Sequence, residues 1–255
     1  MMIKSLYQKI FSEKNRYNFH INLRKAKAFF LSGSNYYCPC CGKSAHRFLE
    51  KGNGIEIRSN AVCPHCGSLE RTRLLFLYLK DNTQIFENNP HVLHFAPEDA
   101  LKKHFICNPN YIDVDLNPNL ATHQMDITDI SFPDNYFDFI ICSHVLGHVP
   151  NEQKALQELY RVLKTGGSLF LLSLMDLEAD KTLQDSSFTS PEQKLRSYGE
   201  KDLERLYGND FADRIKADIV RIDRIDYRRE FSEEDRQRMA LGNGRRELIY
   251  LVTKS

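Results

Sequence analysis

No run of about 18 consecutive apolar residues occurs in the 255-residue chain, so no segment is suited to crossing a bilayer as a helix. The first residues also lack the apolar core and small-residue cleavage site of a secretory leader, and a cytoplasmic protein is expected. Charge of one sign is not in excess. The 35 Lys and Arg against 34 Asp and Glu leave a formal charge of +1, so any nucleic-acid affinity must come from a local patch. There is no Gly/Ser-rich or Pro-rich linker, no internal repeat and no low-complexity tract, which argues for modules packed together rather than tethered. What is present, 42% apolar residues over this length, suffices for one full α/β domain plus something small.

Cysteine is the first residue type with a pattern. Four of the seven cysteines form two C-x-x-C pairs, Cys38-Pro39-Cys40-Cys41-Gly42 and Cys63-Pro64-His65-Cys66-Gly67. In a chain read as leaderless, metal ligation is a better account than a disulfide framework, with redox or merely buried pairs as the alternative. Each C-P-x-C-G unit resembles a zinc knuckle, in which the Gly accepts positive φ and lets the turn aim two thiolates at one point. Two knuckles supply four sulfurs, and Cys38, Cys41, Cys63 and Cys66 are the expected ligands of a structural Zn2+. Cys40 and His65 occupy the middle positions and point away in that geometry. Between the knuckles, Ala45 to Glu50 and Ile55 to Arg58 flank Lys51-Gly52-Asn53-Gly54, a hairpin with an Asn-Gly turn. The layout is that of a zinc ribbon.

Before the ribbon, residues 1–30 carry Lys4, Lys9, Lys14, Arg16, Arg24, Lys25 and Lys27 against Glu13, with Ile3, Leu6, Tyr7, Ile10 and Phe11 at helical spacing. A basic amphipathic helix is expected. It either contacts RNA, an anionic lipid surface or a partner, or packs its apolar stripe on the body. After the ribbon, Ser68 is placed to cap a helix containing Leu69, Leu74, Leu75, Phe76, Leu77 and Leu79.

The rest alternates strand and helix. His91 to Phe95 reads as a first strand and Tyr111 to Asp115 as a second; Thr122 to Met125 is a short third, and Phe137 to Cys142 an apolar, doubly buried fourth. A helix from Gln153 to Lys164 ends at Gly166-Gly167, and strand five runs from Ser168 to Met175. Asp176 to Ser197 is a polar insertion of the kind that forms lids or substrate walls, followed by a helix from Glu200 to Tyr207. Ile219 to Tyr227 and Glu247 to Thr253 alternate as two further strands.

Three runs carry a family resemblance: Asp126-Ile127-Thr128; Phe132-Pro133-Asp134-Asn135-Tyr136-Phe137-Asp138 continuing through His144-Val145-Leu146-Gly147-His148-Val149; and Arg161-Val162-Leu163-Lys164-Thr165-Gly166-Gly167. Together they resemble the class I S-adenosylmethionine-dependent methyltransferases, in particular the type-11-like branch. The resemblance implies a Rossmann-like α/β domain with a seven-strand sheet, its last strand antiparallel. The domains expected are a basic helical segment over 1–34, a zinc ribbon over 35–68 and the methyltransferase domain over 69–255.

It further implies S-adenosylmethionine as cofactor, held by Phe95, Ala96, Glu98, Asp115, Leu116, Asp126, Ile127, Ser143 and His144. Asp115, with Asp113 as the alternative, closes the second strand and accepts from the ribose hydroxyls, because an ionised carboxylate only accepts. Asp126 and the Ile127 amide are expected at the adenine ring, and Glu98 at the cofactor's ammonium. The turn Ala96-Pro97-Glu98 departs from the family, which places glycines there, and His94 stands where an acidic residue is usual. His144 sits where acceptor and methyl group meet, as a general base or as a packing residue; His148 is read as mainly structural, and Gly147 stands where the family often has Glu. Arg196 and Tyr198 are candidates for touching an anionic or sugar-like acceptor. The expected activity is O-methylation of a small molecule or saccharide, with ribosomal or transfer RNA as the runner-up and a zinc-stabilised binding protein that has lost methyl transfer as the rival class.

Overall fold

The computed structural model describes residues 13–52 and 55–255. Ile3 to Phe11 and the Asn53-Gly54 turn lie outside the described residues. Helix α1 spans Glu13–Phe30 and leads into two hairpins, β1 (Tyr36–Cys38) with β2 (Lys43–Ala45) and β3 (Leu49–Gly52) with β4 (Ile57–Val62). Helix α2 (Glu70–Asn82) then starts the larger part of the chain, whose short helices include α3 (Asp99–Lys102) and α6 (Phe211–Arg214). Its start corrects the capping assignment. Ser68 is not the cap: the Leu69 amide donates to Thr72 Oγ1 at 3.1 Å, while Ser68 Oγ faces Cys38 Sγ at 3.1 Å and Cys66 Sγ at 3.3 Å.

The main sheet is built from β5 (Val92–Phe95), β6 (Tyr111–Asp115), β7 (His123–Gln124), β8 (Phe137–Ser143), β9 (Leu163–Leu172), β10 (Val220–Ile225) and β11 (Ile249–Lys254). Its seven strands lie in the order β10-β11-β9-β8-β5-β6-β7. β7, β6, β5, β8 and β9 pair in parallel, while β11 is antiparallel to both neighbours. Within the parallel part, the chain starts at β5, steps outward to β7 and returns to β8 on the other side. That reversal opens a crevice at the carboxyl ends of β5 and β8.

Side-chain alternation covers the sheet on both faces. Ile140, Cys142, Leu169 and Leu171 join one cluster with Ala155, Leu156, Leu159 and Tyr160 of helix α4 (Glu152–Val162). Ile141, Phe170 and Leu172 join the other with Leu75, Phe76 and Leu79 of α2. Strands buried on both faces are therefore apolar at nearly every position, as β8 and β9 are. The second cluster continues into Cys38, Cys40, Ala45, Phe48 and Cys63, so the cysteine-rich hairpins and the sheet share one apolar interior.

Two elements differ from expectation. Helix α4 ends at Val162, and Gly166-Gly167 lies within β9, where the pairing to β8 slips between Phe137 and Phe139. Gly166 has φ +78°, and a Cβ on Gly167 would come within 3.0 Å of the Asp138 carbonyl, so the glycines serve a bulge rather than a helix cap. No helix covers residues 200–207. The helix, α5, is Pro191–Tyr198 inside the polar insertion; Ser190 and Gln193 form a capping box at its start, and Gly199 stops it at φ +86°. Downstream, Leu206 pairs with Leu183 and Tyr207 with Met175 in isolated bridges, which use the backbone groups a helix would have needed.

Arg73 of α2 joins the parts. It has no exposed surface, and its guanidinium donates to the carbonyls of Ser68 (2.7 Å), Ala61 (3.1 Å), Met239 (2.8 Å) and Ala240 (2.6 Å) while lying 5.0 Å from the Phe48 ring centre. Met239 and Ala240 follow helix α7 (Glu233–Arg238), whose last carbonyls are the negative end of a helix dipole. Arg73→Met takes a donor from four carbonyls, of which Ser68 keeps the Cys63 amide at 3.0 Å, and with the loss of the guanidinium's packing is expected to cost about 3 kcal/mol. Arg73→Lys is expected to recover part of this, because one ammonium lacks the planar fork. Urea midpoints check both; a midpoint for Arg73→Met equal to that of the parent chain refutes the assignment.

Candidate functional site

The four knuckle sulfurs converge. Cys38, Cys41, Cys63 and Cys66 bring their Sγ atoms within 4.8 Å of one another, with Cys38 and Cys66 at 3.5 Å and Cys41 and Cys63 at 3.9 Å. A tetrahedron of metal–sulfur bonds of about 2.3 Å has edges of about 3.8 Å, so the set fits a four-coordinate metal. Both turns are alike: Gly42 and Gly67 have φ +67° and +83°, and their amides donate to Cys38 and Cys63 carbonyls at 2.8 and 2.9 Å. The middle residues turn away. Cys40 donates to the Thr72 carbonyl at 3.7 Å and burial raises its pKa, while His65 Nε2 meets the Ser44 carbonyl at 3.1 Å.

A second feature is a cavity of about 540 Å³ at the carboxyl ends of β5, β6 and β8. Its wall brings together Phe95, Ala96, Asp115, Leu116, Asp126, Ile127 and His144, along with Val114, Met125, Thr128, Val145, His148 and Asp202. The volume and the mixed lining suit a ligand of nucleoside size. Asp115 Oδ1 accepts from the Asn117 amide at 2.8 Å, and Asp126 Oδ1 accepts from the Thr128 amide and hydroxyl, each at 2.8 Å. Each carboxylate is thus held by its own loop. The alternative, Asp113, is absent from the wall and is occupied elsewhere by Lys102 and the Thr122 amide. Burial alone would raise its carboxyl pKa, but these two partners outweigh burial and lower it.

Backbone strain marks the same edge. Ala96 and His144 end the adjacent strands β5 and β8, and both take positive φ, +48° and +57°. This region costs a non-glycine residue roughly 1–2 kcal/mol. Strand-continuing bonds hold both in place, from Ala96 N to the Val114 carbonyl (2.9 Å) and from His144 N to the Leu172 carbonyl (2.8 Å). The turn that lacks glycine keeps a glycine-like conformation, and Ala is the smallest residue with a Cβ that can do so.

Glu98, Ser143, Arg196 and Tyr198 do not line the cavity. Arg196 is exposed, and the Tyr198 hydroxyl is bonded to Asp185 in a separate small core, accepting from its amide at 2.8 Å. Glu98 follows the strained Ala96 by two residues, and Ser143 directly precedes the strained His144. Glu98 Oε1 stands 3.0 Å from Arg71 Nη2, yet both Glu98 carboxylate oxygens, Arg71 Nε and Ser143 Oγ are buried without a hydrogen bond of good geometry. An acid and a base held with unused polar atoms beside the Ala96 turn fit a zwitterionic amino-acid group. His94 does not replace the missing acid there: fully enclosed, its Nδ1 meets the Tyr111 hydroxyl at 2.9 Å and desolvation pushes its pKa down to about 3.

Two other histidines face the cavity. His144 Nε2 is 2.9 Å from the Arg246 carbonyl, which only accepts, so Nε2 carries the proton and Nδ1 keeps the lone pair. Burial, then the Arg71 charge, drives its pKa well below the usual histidine value, so the ring is neutral. His148 stands between two acids, Nδ1 at 3.5 Å from Asp202 Oδ1 and Nε2 at 3.8 Å from Glu200 Oε2. Arg246 Nη1 donates to Glu200 Oε1 at 2.6 Å, which ties this group to the segment before β11. Gly147 has a packing reason: a Cβ there would meet Leu203 at 2.8 Å.

Arg71, Arg246, Glu200 and Asp202 were not singled out from the sequence. They come from segments far apart in the chain, and none sits in a motif.

Residues 86–171 match the family model for a methyltransferase domain. Over 54 residues the chain is 47% identical to the ubiquinone/menaquinone biosynthesis C-methyltransferase UbiE of Vibrio cholerae serotype O1, a match covering 21% of each protein. Over 84 residues it is 36% identical to the protein of that name from Serratia proteamaculans, covering 33% of this chain and 29% of that one. The chain thus spans less than a third of the length of these curated relatives. Among solved structures, the YcgJ protein from Bacillus subtilis superposes with a TM-score of 0.50 at 17% identity, covering 71% of this chain and 98% of that one. The sheet is that of a Rossmann-like methyltransferase fold.

If Arg71 and Glu98 hold the amino-acid end of the cofactor, Arg71→Ala should weaken S-adenosylhomocysteine at least tenfold by calorimetry. Methylthioadenosine, which lacks the amino-acid group, should bind the variant as it binds the parent. Equal weakening of both ligands contradicts the assignment.

Proposed function

We propose that this chain is an S-adenosylmethionine-dependent methyltransferase acting on a hydroxyl oxygen of a small-molecule or saccharide acceptor. The observation that carries the reading is the crevice wall. It sets two carboxylates, Asp115 and Asp126, beside apolar surface from Phe95, Leu116 and Ile127 at the carboxyl edge of a parallel sheet. When bound, S-adenosylmethionine supplies a methyl group on a positively charged sulfur. Asp115 accepts from the ribose hydroxyls, Asp126 from the adenine amino group, and the Ile127 amide donates to the ring. Arg71 and Glu98 take the carboxylate and ammonium.

The protein's share of the catalysis is mainly positioning. Holding an acceptor in line with the methyl group removes much of the entropic barrier, so a strongly basic side chain is not required. His144 Nδ1, unprotonated because Nε2 is committed to the Arg246 carbonyl, is available for the proton that the hydroxyl sheds. The same desolvation that keeps it neutral makes it a weak base. Cys38, Cys41, Cys63 and Cys66 would hold Zn2+ with four protein sulfurs, and such a metal would support the fold rather than bind substrate.

A carbon acceptor is the second reading, because the relatives with a named activity are C-methyltransferases. Incubating the purified chain with methyl-labelled S-adenosylmethionine and fractionated cell extract separates the cases. Label in a small, nuclease-resistant product that glycosidase or ether cleavage releases supports O-methylation. Label that survives ether cleavage supports the carbon reading; label lost to nuclease, or no incorporation at all, contradicts both.

A further inference from the structure

Helix α1 carries apolar side chains on two opposite faces. On one, Ala28 is buried and Arg24 Nη1 donates to the Pro64 carbonyl at 3.2 Å, so this side rests on the second knuckle. On the other, Leu23 and Phe30 fall within roughly 20° of each other on a wheel turning 100° per residue. They are 44% and 83% exposed, with Phe29 beside them at 78% and Phe19, one turn earlier on the same line, at 55%. A helix packed on a body by one face is normally polar on the other. The charge on the second half of α1 is also one-sided: Arg24, Lys25 and Lys27 follow with no acid among them. Lys27, exposed, sits one turn from both Leu23 and Phe30.

Aromatic and aliphatic side chains open to solvent, set among cations, match one kind of surface. An RNA backbone asks for the cations but not for the apolar line. An apolar protein groove asks for the line but not for the charge. A bilayer containing anionic lipids uses both, with rings and aliphatic chains at the boundary between headgroups and acyl chains and the ammonium groups level with the phosphates. We infer that α1 is an interfacial helix that lays Leu23, Phe29 and Phe30 onto an anionic membrane surface, opposite the face that rests on the cysteine-rich hairpins. It lies on the membrane and does not cross it, as the absence among the described residues of a long, apolar helix requires. An acceptor presented at the bilayer surface is compatible with this, but the inference stands apart from the methyl-transfer reading.

The test is co-sedimentation of the full chain with extruded vesicles of phosphatidylcholine, with and without phosphatidylglycerol. Partitioning onto the anionic vesicles is expected to exceed that onto neutral ones at least tenfold. Leu23→Ser with Phe30→Ser, both at exposed positions, is expected to lower it at least tenfold while metal content stays unchanged. Lys25→Glu with Lys27→Glu should lower it most at low salt. Equal binding to neutral vesicles, no binding, or anionic binding left intact by the serine double variant overturns the inference. So does a dimer, seen by sedimentation velocity without lipid, that the serine variant dissolves. Binding of a transfer-RNA mixture that survives the serine variant, in the absence of vesicle binding, also overturns it.

Discussion

A buried guanidinium with no carboxylate partner is the contact on which the assembly turns. Arg73 gives its protons to four carbonyls from three segments: Ala61 on β4, Ser68 in the second knuckle, and Met239 and Ala240 beyond α7. Removing a charge from water is tolerable only when its donors are satisfied, and these four carbonyls satisfy them. The arrangement fixes the first turn of α2 relative to the knuckles. Ser68, whose carbonyl Arg73 holds, turns its hydroxyl toward the sulfurs of Cys38 and Cys66. Two residues before Arg73, Arg71 reaches Glu98 in the turn after β5. Sulfur cluster, helix start and the turn after β5 are thus neighbours along one short path of bonds.

At the sheet edge, strain and neutrality go together. Ala96 and His144 take positive φ at the ends of the two strands that flank the topological switch, where the chain must leave the sheet sharply to open the crevice. The sheet over-determines both positions through main-chain bonds. His144 is then held in one tautomer by a carbonyl and kept uncharged by burial and by Arg71. With S-adenosylmethionine in the crevice as proposed, a neutral imidazole there avoids repelling the positively charged sulfur, whichever role the ring has in proton transfer.

Much of this was legible in the sequence, because the signals were local and periodic. Strands β5, β6, β8 and β9 announced themselves as apolar runs and the knuckles by spacing; Asp115, Asp126 and Ile127, named through the family resemblance, do line the crevice. What escaped was decided by tertiary context. Gly166-Gly167 looks like a helix stop, yet the close approach to Asp138 makes it a bulge. The helix assigned to residues 200–207 gave way to pairing with Leu183 and Met175, and Ser68 found sulfur rather than a helix amide. Arg71, Glu200 and Asp202 carry no pattern at all; they matter only because the fold brings them to His144 and His148. Tyr198 stands away from the crevice, packed with Leu174 and Leu203 and lining a separate cavity.

The crevice has a definite occupant in this account, and that can be measured without knowing the acceptor. Calorimetric titration of the metal-loaded chain with S-adenosylmethionine is predicted to give saturable one-to-one binding, displaced by S-adenosylhomocysteine and weakened at least tenfold by Asp115→Ala. No heat of binding at millimolar cofactor, with the chain folded and its metal in place, contradicts it.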